Sequence, residues 1–162
     1  MTRSASACRA VRSLSVVLVA LALAPGIASA ATAIVDDTGT LPYQSTINSR
    51  WKQVSGGNRQ VGNDIEGSAT VTIHLNLAPW LNKNARIYLA LPQQSIGVVN
   101  VEWATQGRLL PGKLQSGDRT LVYAGVVKGP ILEDTIAVKV VTDGRKMTFA
   151  QRLEFHFEID TD

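Results

Sequence analysis

Hydrophobic and polar residues alternate with a period of two along most of this chain. In residues 69–77 every odd position is apolar and every even position is polar. Successive side chains of an extended strand point to opposite faces of a sheet, so this pattern predicts a strand with one buried and one solvated face. Because no window keeps a helical apolar stripe for three turns, we predict an all-β protein.

Other stretches with alternating or β-branched residues follow at a spacing of roughly ten residues. The strands they predict are 44–54, 86–91, 96–104, 108–110, 120–127, 135–142 and 152–160. The stretch 135–142 is apolar on both faces, which is typical of a strand covered from both sides. Asp143-Gly144 predicts a tight hairpin into the last strand, whose Leu153, Phe155, Phe157 and Ile159 should face inward.

Seven to nine short strands at this spacing predict an antiparallel β-sandwich of immunoglobulin-like type. We place one such domain at residues 44–162, because a chain of this size buries roughly two thirds of its unfolded surface in one core. Residues 31–43 precede the first predicted strand and are expected to form a short exposed arm.

The first thirty residues have the pattern of an export signal. Arg3, Arg9 and Arg12 precede the uncharged apolar run 14–24, and Ala28-Ser29-Ala30 supplies the small residues of a cleavage site. We expect cleavage after Ala30, with Ala33 as a second possible site. The apolar run is shorter than the ~20 residues that a membrane-spanning helix needs. The rest of the chain is therefore predicted to be periplasmic, extracellular or at the cell surface.

Charge and cysteine content exclude several kinds of function. The chain has 16 Lys and Arg against 13 Asp and Glu, but three of the arginines and none of the acids lie in residues 1–30. The remainder is close to neutral, so no basic field attracts nucleic acid. The single cysteine, Cys8, lies in the predicted signal, which excludes disulfides and thiol chemistry after cleavage.

The last predicted strand carries the one polar pattern that points to a ligand. Glu154, His156 and Glu158 are spaced by two and would share one face, where carboxylate and imidazole groups suit a divalent metal ion. Same-face neighbours on a strand lie ~6.6 Å apart at a rise of ~3.3 Å per residue, so further ligands would have to come from another strand. The alternative is a solvated face whose charges discourage pairing between sheet edges.

His74 and the tryptophans are the remaining candidates. His74 lies on the polar face of its strand, and the chain has no Gly-x-Ser-x-Gly elbow for nucleophilic catalysis. Trp51 and Trp103 are in phase with apolar residues, which predicts core packing. Trp80 follows Pro79 at a strand end, and we predict it as the ligand contact.

The layout resembles, in a wide sense, that of a fimbrial subunit: a signal, a short arm, and a cysteine-free sandwich without an active site. The expected function is that of a non-enzymatic interaction or structural subunit at the bacterial cell envelope, without a cofactor. Its partner would be a protein or another copy, bound by strand pairing. The alternative is a secreted metal- or carbohydrate-binding protein or a small hydrolase that uses the last strand.

Overall fold

The computed structural model describes residues 31–42, 49–53, 61–146 and 153–161. Within these ranges the regular elements are ten strands and two 3₁₀ turns, with no α-helix. The predicted signal lies outside the described residues. No helix in the described part is long and apolar enough to cross a membrane.

The strands form two antiparallel sheets. The first has four strands, in the order β1 (Ala31–Ile34), β10 (His156–Thr161), β5 (Asn84–Ala90) and β8 (Arg119–Val126). The second has the order β2 (Leu41–Pro42), β4 (Val61–Asn76), β9 (Ile131–Asp143), β6 (Val99–Thr105) and β7 (Gly112–Gln115). A further strand, β3 (Ser49–Gln53), also pairs with β4.

One hydrophobic core joins the two sheets. Its fully buried side chains include Ile87 and Ile159 from the first sheet and Leu75 and Val99 from the second. Each of these residues lies at an apolar position of a stretch in which apolar and polar residues alternate. The all-β class and the packing of two antiparallel sheets, as in a β-sandwich, are therefore confirmed.

The alternation at 69–77 continues in β4, which is longer than predicted and pairs with β9 over 13 residues. In β9, Leu132 and Ile136 are buried, whereas Glu133 and Lys139 are exposed. The prediction that 135–142 is covered on both faces is wrong. Its outward face is a solvated face of the second sheet, and Lys139 there pairs with Glu66.

The hairpin predicted at Asp143-Gly144 does not form. After β9 the chain makes a 3₁₀ turn over Gly144–Lys146, and β10 joins the other sheet, where it pairs with β1 and β5. The Asp143 side chain accepts hydrogen bonds from the Arg145 side chain and main-chain N–H, which lower the pKa of Asp143 to about 2. Asp143 therefore stabilises a turn that leaves the sheet.

The short strand predicted at 108–110 is also wrong. These residues belong to a loop, in which Leu109 is buried and the Leu110 carbonyl accepts a hydrogen bond of 2.9 Å from the Trp103 indole. The strand at this place is β7, which pairs with β6. Trp103 itself lies in the core, as predicted.

Residues 31–42, predicted as an exposed arm, pair with both sheets instead. β1 pairs with β10, Val35 is 2% exposed within the core, and β2 pairs with β4. A turn over 36–40 joins the two sheets, and Gly39 adopts a φ of 117° there. The inward position of Val35 explains why the segment packs against the domain.

Candidate interaction site at the edge formed by β1 and β10

The outer face of the first sheet carries a connected polar cluster. The Arg119 guanidinium donates to Glu158 Oε2 at 2.9 Å and to Asp160 Oδ2 at 3.2 Å. Its central carbon lies 4.3 Å from the centre of the Tyr88 ring. These hydrogen bonds, led by that to Glu158, raise the pKa of Arg119. The cluster therefore joins β8, β5 and β10 on the side that faces solvent.

β1 is attached to this cluster through one side chain. The Thr32 hydroxyl donates to Asp160 Oδ1 at 2.6 Å. This bond is the largest cause of the lowered pKa of Asp160, and the Arg119 guanidinium adds to it. The main chain continues the attachment, because Val35 N–H donates to the Phe157 carbonyl at 2.8 Å.

The hydrogen-bonded pair of Val35 and Phe157 shows which main-chain groups of β1 remain at the outer edge. Antiparallel partners alternate between bonded and non-bonded pairs, so Ala31 and Ala33 bond to β10 and Thr32 and Ile34 point away from it. No described residue accepts from or donates to the outward main-chain groups of Thr32 and Ile34. The Ile34 side chain beside them is 72% exposed. Within the described residues, β1 thus presents a free edge.

Glu158 is bound to neighbouring side chains. One Glu158 oxygen accepts from Arg119, and the other lies 3.2 Å from His156 Nε2. Glu154 precedes β10 and is exposed. Within the described ranges no three His, Cys, Asp or Glu side chains are grouped to hold a metal ion. A metal site at Glu154, His156 and Glu158 stays a prediction that this arrangement does not support.

Trp51 differs from its predicted environment, whereas Trp80 as a ligand contact stays a prediction. Trp80 belongs to the 3₁₀ turn Ala78–Trp80 and packs, half-buried, against the core. Trp51, predicted to pack in the core, is 51% exposed. Its indole lies so close to Gly144 that a Cβ there would be 2.6 Å from a ring carbon. Trp51 is therefore the more accessible of the two indoles.

The His74 imidazole lies beside a carboxylate, and in the described part of the chain no hydroxyl bonds to the ring. Its Nδ1 lies 3.1 Å from Glu133 Oε1, directly across the pair of β4 and β9. Its main chain exchanges hydrogen bonds with the Thr40 hydroxyl. This arrangement holds the 36–40 turn against β4.

Asp134 is a buried acid that the sequence analysis missed. It is 9% exposed, and its carboxylate accepts hydrogen bonds from the main-chain N–H groups of Leu109 (2.7 Å) and Thr135 (2.6 Å). The Thr105 hydroxyl donates to it at 3.1 Å. Asp134 lies on the same inward face of β9 as Leu132 and Ile136. An acid at an inward-facing position of an alternating stretch is the sequence signal that could have identified it. Its role is to hold the loop that follows β6.

A groove of about 550 Å³ lies between the outer face of the second sheet and the turn after β7. Its polar side chains are largely bonded to neighbours: Lys113 to Glu102 at 3.2 Å and Gln115 to Asn100 at 3.2 Å. The surface of the groove thus carries both positive and negative charges. The groove therefore does not select a ligand class.

Comparisons of this chain with protein-family models, curated proteins and solved structures found no match.

Proposed function

We propose that this protein is an exported, non-enzymatic β-sandwich of immunoglobulin-like type that serves as an interaction or structural subunit at the bacterial cell envelope. The predicted signal in residues 1–30 would deliver it to the periplasm or the cell surface. It would bind a partner protein or another copy by adding a strand to a free sheet edge. In this mode main-chain hydrogen bonds provide affinity and alternate side chains provide selectivity.

The observation that carries this proposal is the free edge of β1, whose outer side no other described strand pairs. Edge strands expose main-chain donors and acceptors, and soluble proteins usually protect them with charge, proline, bulges or covering loops. β1 has the sequence Ala-Thr-Ala-Ile, without charge or proline. Its outward main-chain groups belong to Thr32 and Ile34, beside an exposed apolar side chain.

The other edge strands carry such protection. β3 contains Arg50 and Lys52, and β2 ends in Pro42. In β7 the Lys113 carbonyl accepts from the Thr120 hydroxyl at 2.7 Å. In β8 the Val122 carbonyl accepts from the Leu110 N–H at 2.7 Å. This difference supports β1 as the edge at which a partner strand binds.

The use of the polar side chains supports the non-enzymatic part of the proposal. Buried Asp134 binds loop main chain, Arg119 binds two carboxylates across strands, and His74 lies beside Glu133. The Asp134 carboxylate and the Arg119 guanidinium would have to release these partners before they could act on a substrate.

The test is cross-linking of bacteria that express the full chain with a carboxyl-terminal tag, followed by fractionation. We expect a cleaved chain in the envelope fraction, cross-linked into a species larger than one chain. The Leu18→Arg variant, which interrupts the apolar run, should remain uncleaved in the cytoplasm. A wild-type chain that stays intact in the cytoplasm, or that is never cross-linked to any protein, would contradict the proposal.

A further inference from the structure

We propose that the strand that binds the free edge of β1 is β1 of a second copy, paired antiparallel about a two-fold axis at Ala33. This inference rests on the proposed function, because it takes the free sheet edge to be the binding site. It adds the identity of the partner and the register of pairing.

The outward main-chain groups of β1 are self-complementary. They belong to Thr32 and Ile34, which lie symmetrically on either side of Ala33. If two β1 strands pair antiparallel with Ala33 opposite Ala33, Thr32 of each copy lies opposite Ile34 of the other. Both pairs are then of the bonded kind, and each exchanges two hydrogen bonds. All four outward groups of each copy are satisfied, and the two four-stranded sheets become one continuous sheet.

The side chains fit this register. Ala33 at the axis is small, and it faces the core side of the sheet together with Val35. Ile34 is on the outer face, where it would cover Thr32 of the second copy and lose much of its exposure to water. Thr32 already uses its hydroxyl on Asp160, so its methyl group is the part offered to Ile34. A cross-strand pair of β-branched residues is a favourable one.

The charges at the ends of the paired strands are also complementary. β1 is followed by Asp36 and Asp37. In this register Ala31 of one copy lies opposite Val35 of the other, and Asp36, whose carboxylate also accepts from the Thr38 N–H at 3.0 Å, follows near the end of the opposing strand. Cleavage after Ala30 would place a positively charged α-amino group there. Opposite charges near both ends of the pair would favour this register.

The first measurement is the native mass of the full chain, exported and purified from the envelope fraction, by light scattering over a range of concentrations. Wild-type protein should have the mass of two chains. Ile34→Lys places a charge on the exposed edge without touching the core and should have the mass of one chain. The matched control is Val98→Lys, at a position 55% exposed and outside the sheet edges, which should remain dimeric.

A second measurement tests the register by disulfide formation, in a chain whose Cys8 is replaced by Ser. Opposed residues of a non-bonded antiparallel pair lie at about 4.5 Å between Cα atoms, within the range of a disulfide. Ala33→Cys should therefore yield a covalent dimer on oxidation, whereas Ile34→Cys should yield little. The reverse result would overturn the register at Ala33.

The outcomes separate this inference from the proposed function. If the protein is monomeric but Ile34→Lys prevents its cross-linking to another envelope protein, self-pairing is wrong and pairing at the β1 edge stands. If Ile34→Lys stays dimeric and Gln115→Pro in β7 becomes monomeric, the wrong edge has been assigned. If the protein is monomeric and no edge variant changes its cross-linking, both the inference and the proposed function fail.

Discussion

Asp134 is the residue on which the loop between β6 and β7 depends. Replacement by Ala would leave the Leu109 N–H buried without an acceptor, so we expect a loss of about 2–3 kcal/mol in the free energy of unfolding. Glu133→Ala, on the exposed side of the same strand, should cost at most about 1 kcal/mol. Denaturant titrations of both variants would measure the difference. Equal losses would show that Asp134 does not organise the loop.

The bond from Thr32 to Asp160 predicts a pH dependence. The pKa of Asp160 is lower in the folded protein than its unfolded value of about 3.9, so the stabilisation is present above that pH and is lost as the pH falls through the folded value. Thr32→Val should destabilise the protein at pH 6, and the difference from wild type should shrink below about pH 4. The control Thr70→Val, on the exposed face of β4, should show no such trend in unfolding titrations.

Ile34, the last residue of β1, and Val35, which follows it, should respond differently to truncation. Val35→Ala opens a cavity in the core and should cost about 2 kcal/mol, whereas Ile34→Ala changes an exposed side chain and should cost less than about 0.5 kcal/mol. Unfolding titrations of monomeric protein, at low concentration, compare the two variants. Similar small losses would mean that residues 31–35 are the exposed arm that the sequence predicts.

The sequence predicts strands better than it predicts their partners. A period of two is a local property, which is why residues 69–77 and the inward positions Phe157 and Ile159 could be identified. Asp143-Gly144 is also a local signal, but the sheet that β10 joins depends on Ala90 and Thr161 finding distant partners. The predicted core packing of Trp51 is wrong for the same reason, because its exposure depends on the edge position of β3.

At the scale of the whole molecule, a single core shared by both sheets predicts cooperative unfolding. Phe157 from the first sheet and Leu75 from the second are buried in the same cluster, so neither sheet can lose its packing alone. Far-ultraviolet circular dichroism reports the strands, and tryptophan fluorescence reports the tertiary packing of the three tryptophans, of which Trp103 is buried. The two signals should give one coincident transition. Separate midpoints would indicate two units.

The pairing of β1 with β10 joins the beginning of the described fold to its end. Thr32 and Asp160 are 128 positions apart. At a synthesis rate of ~5–20 residues per second, the time between synthesis of β1 and synthesis of β10 is on the order of ten seconds. During that interval both sides of an uncharged strand are open to any neighbouring chain. A nascent chain is therefore most exposed to mispairing early, and a folding helper that shields β1 until translation ends would raise the yield of native protein.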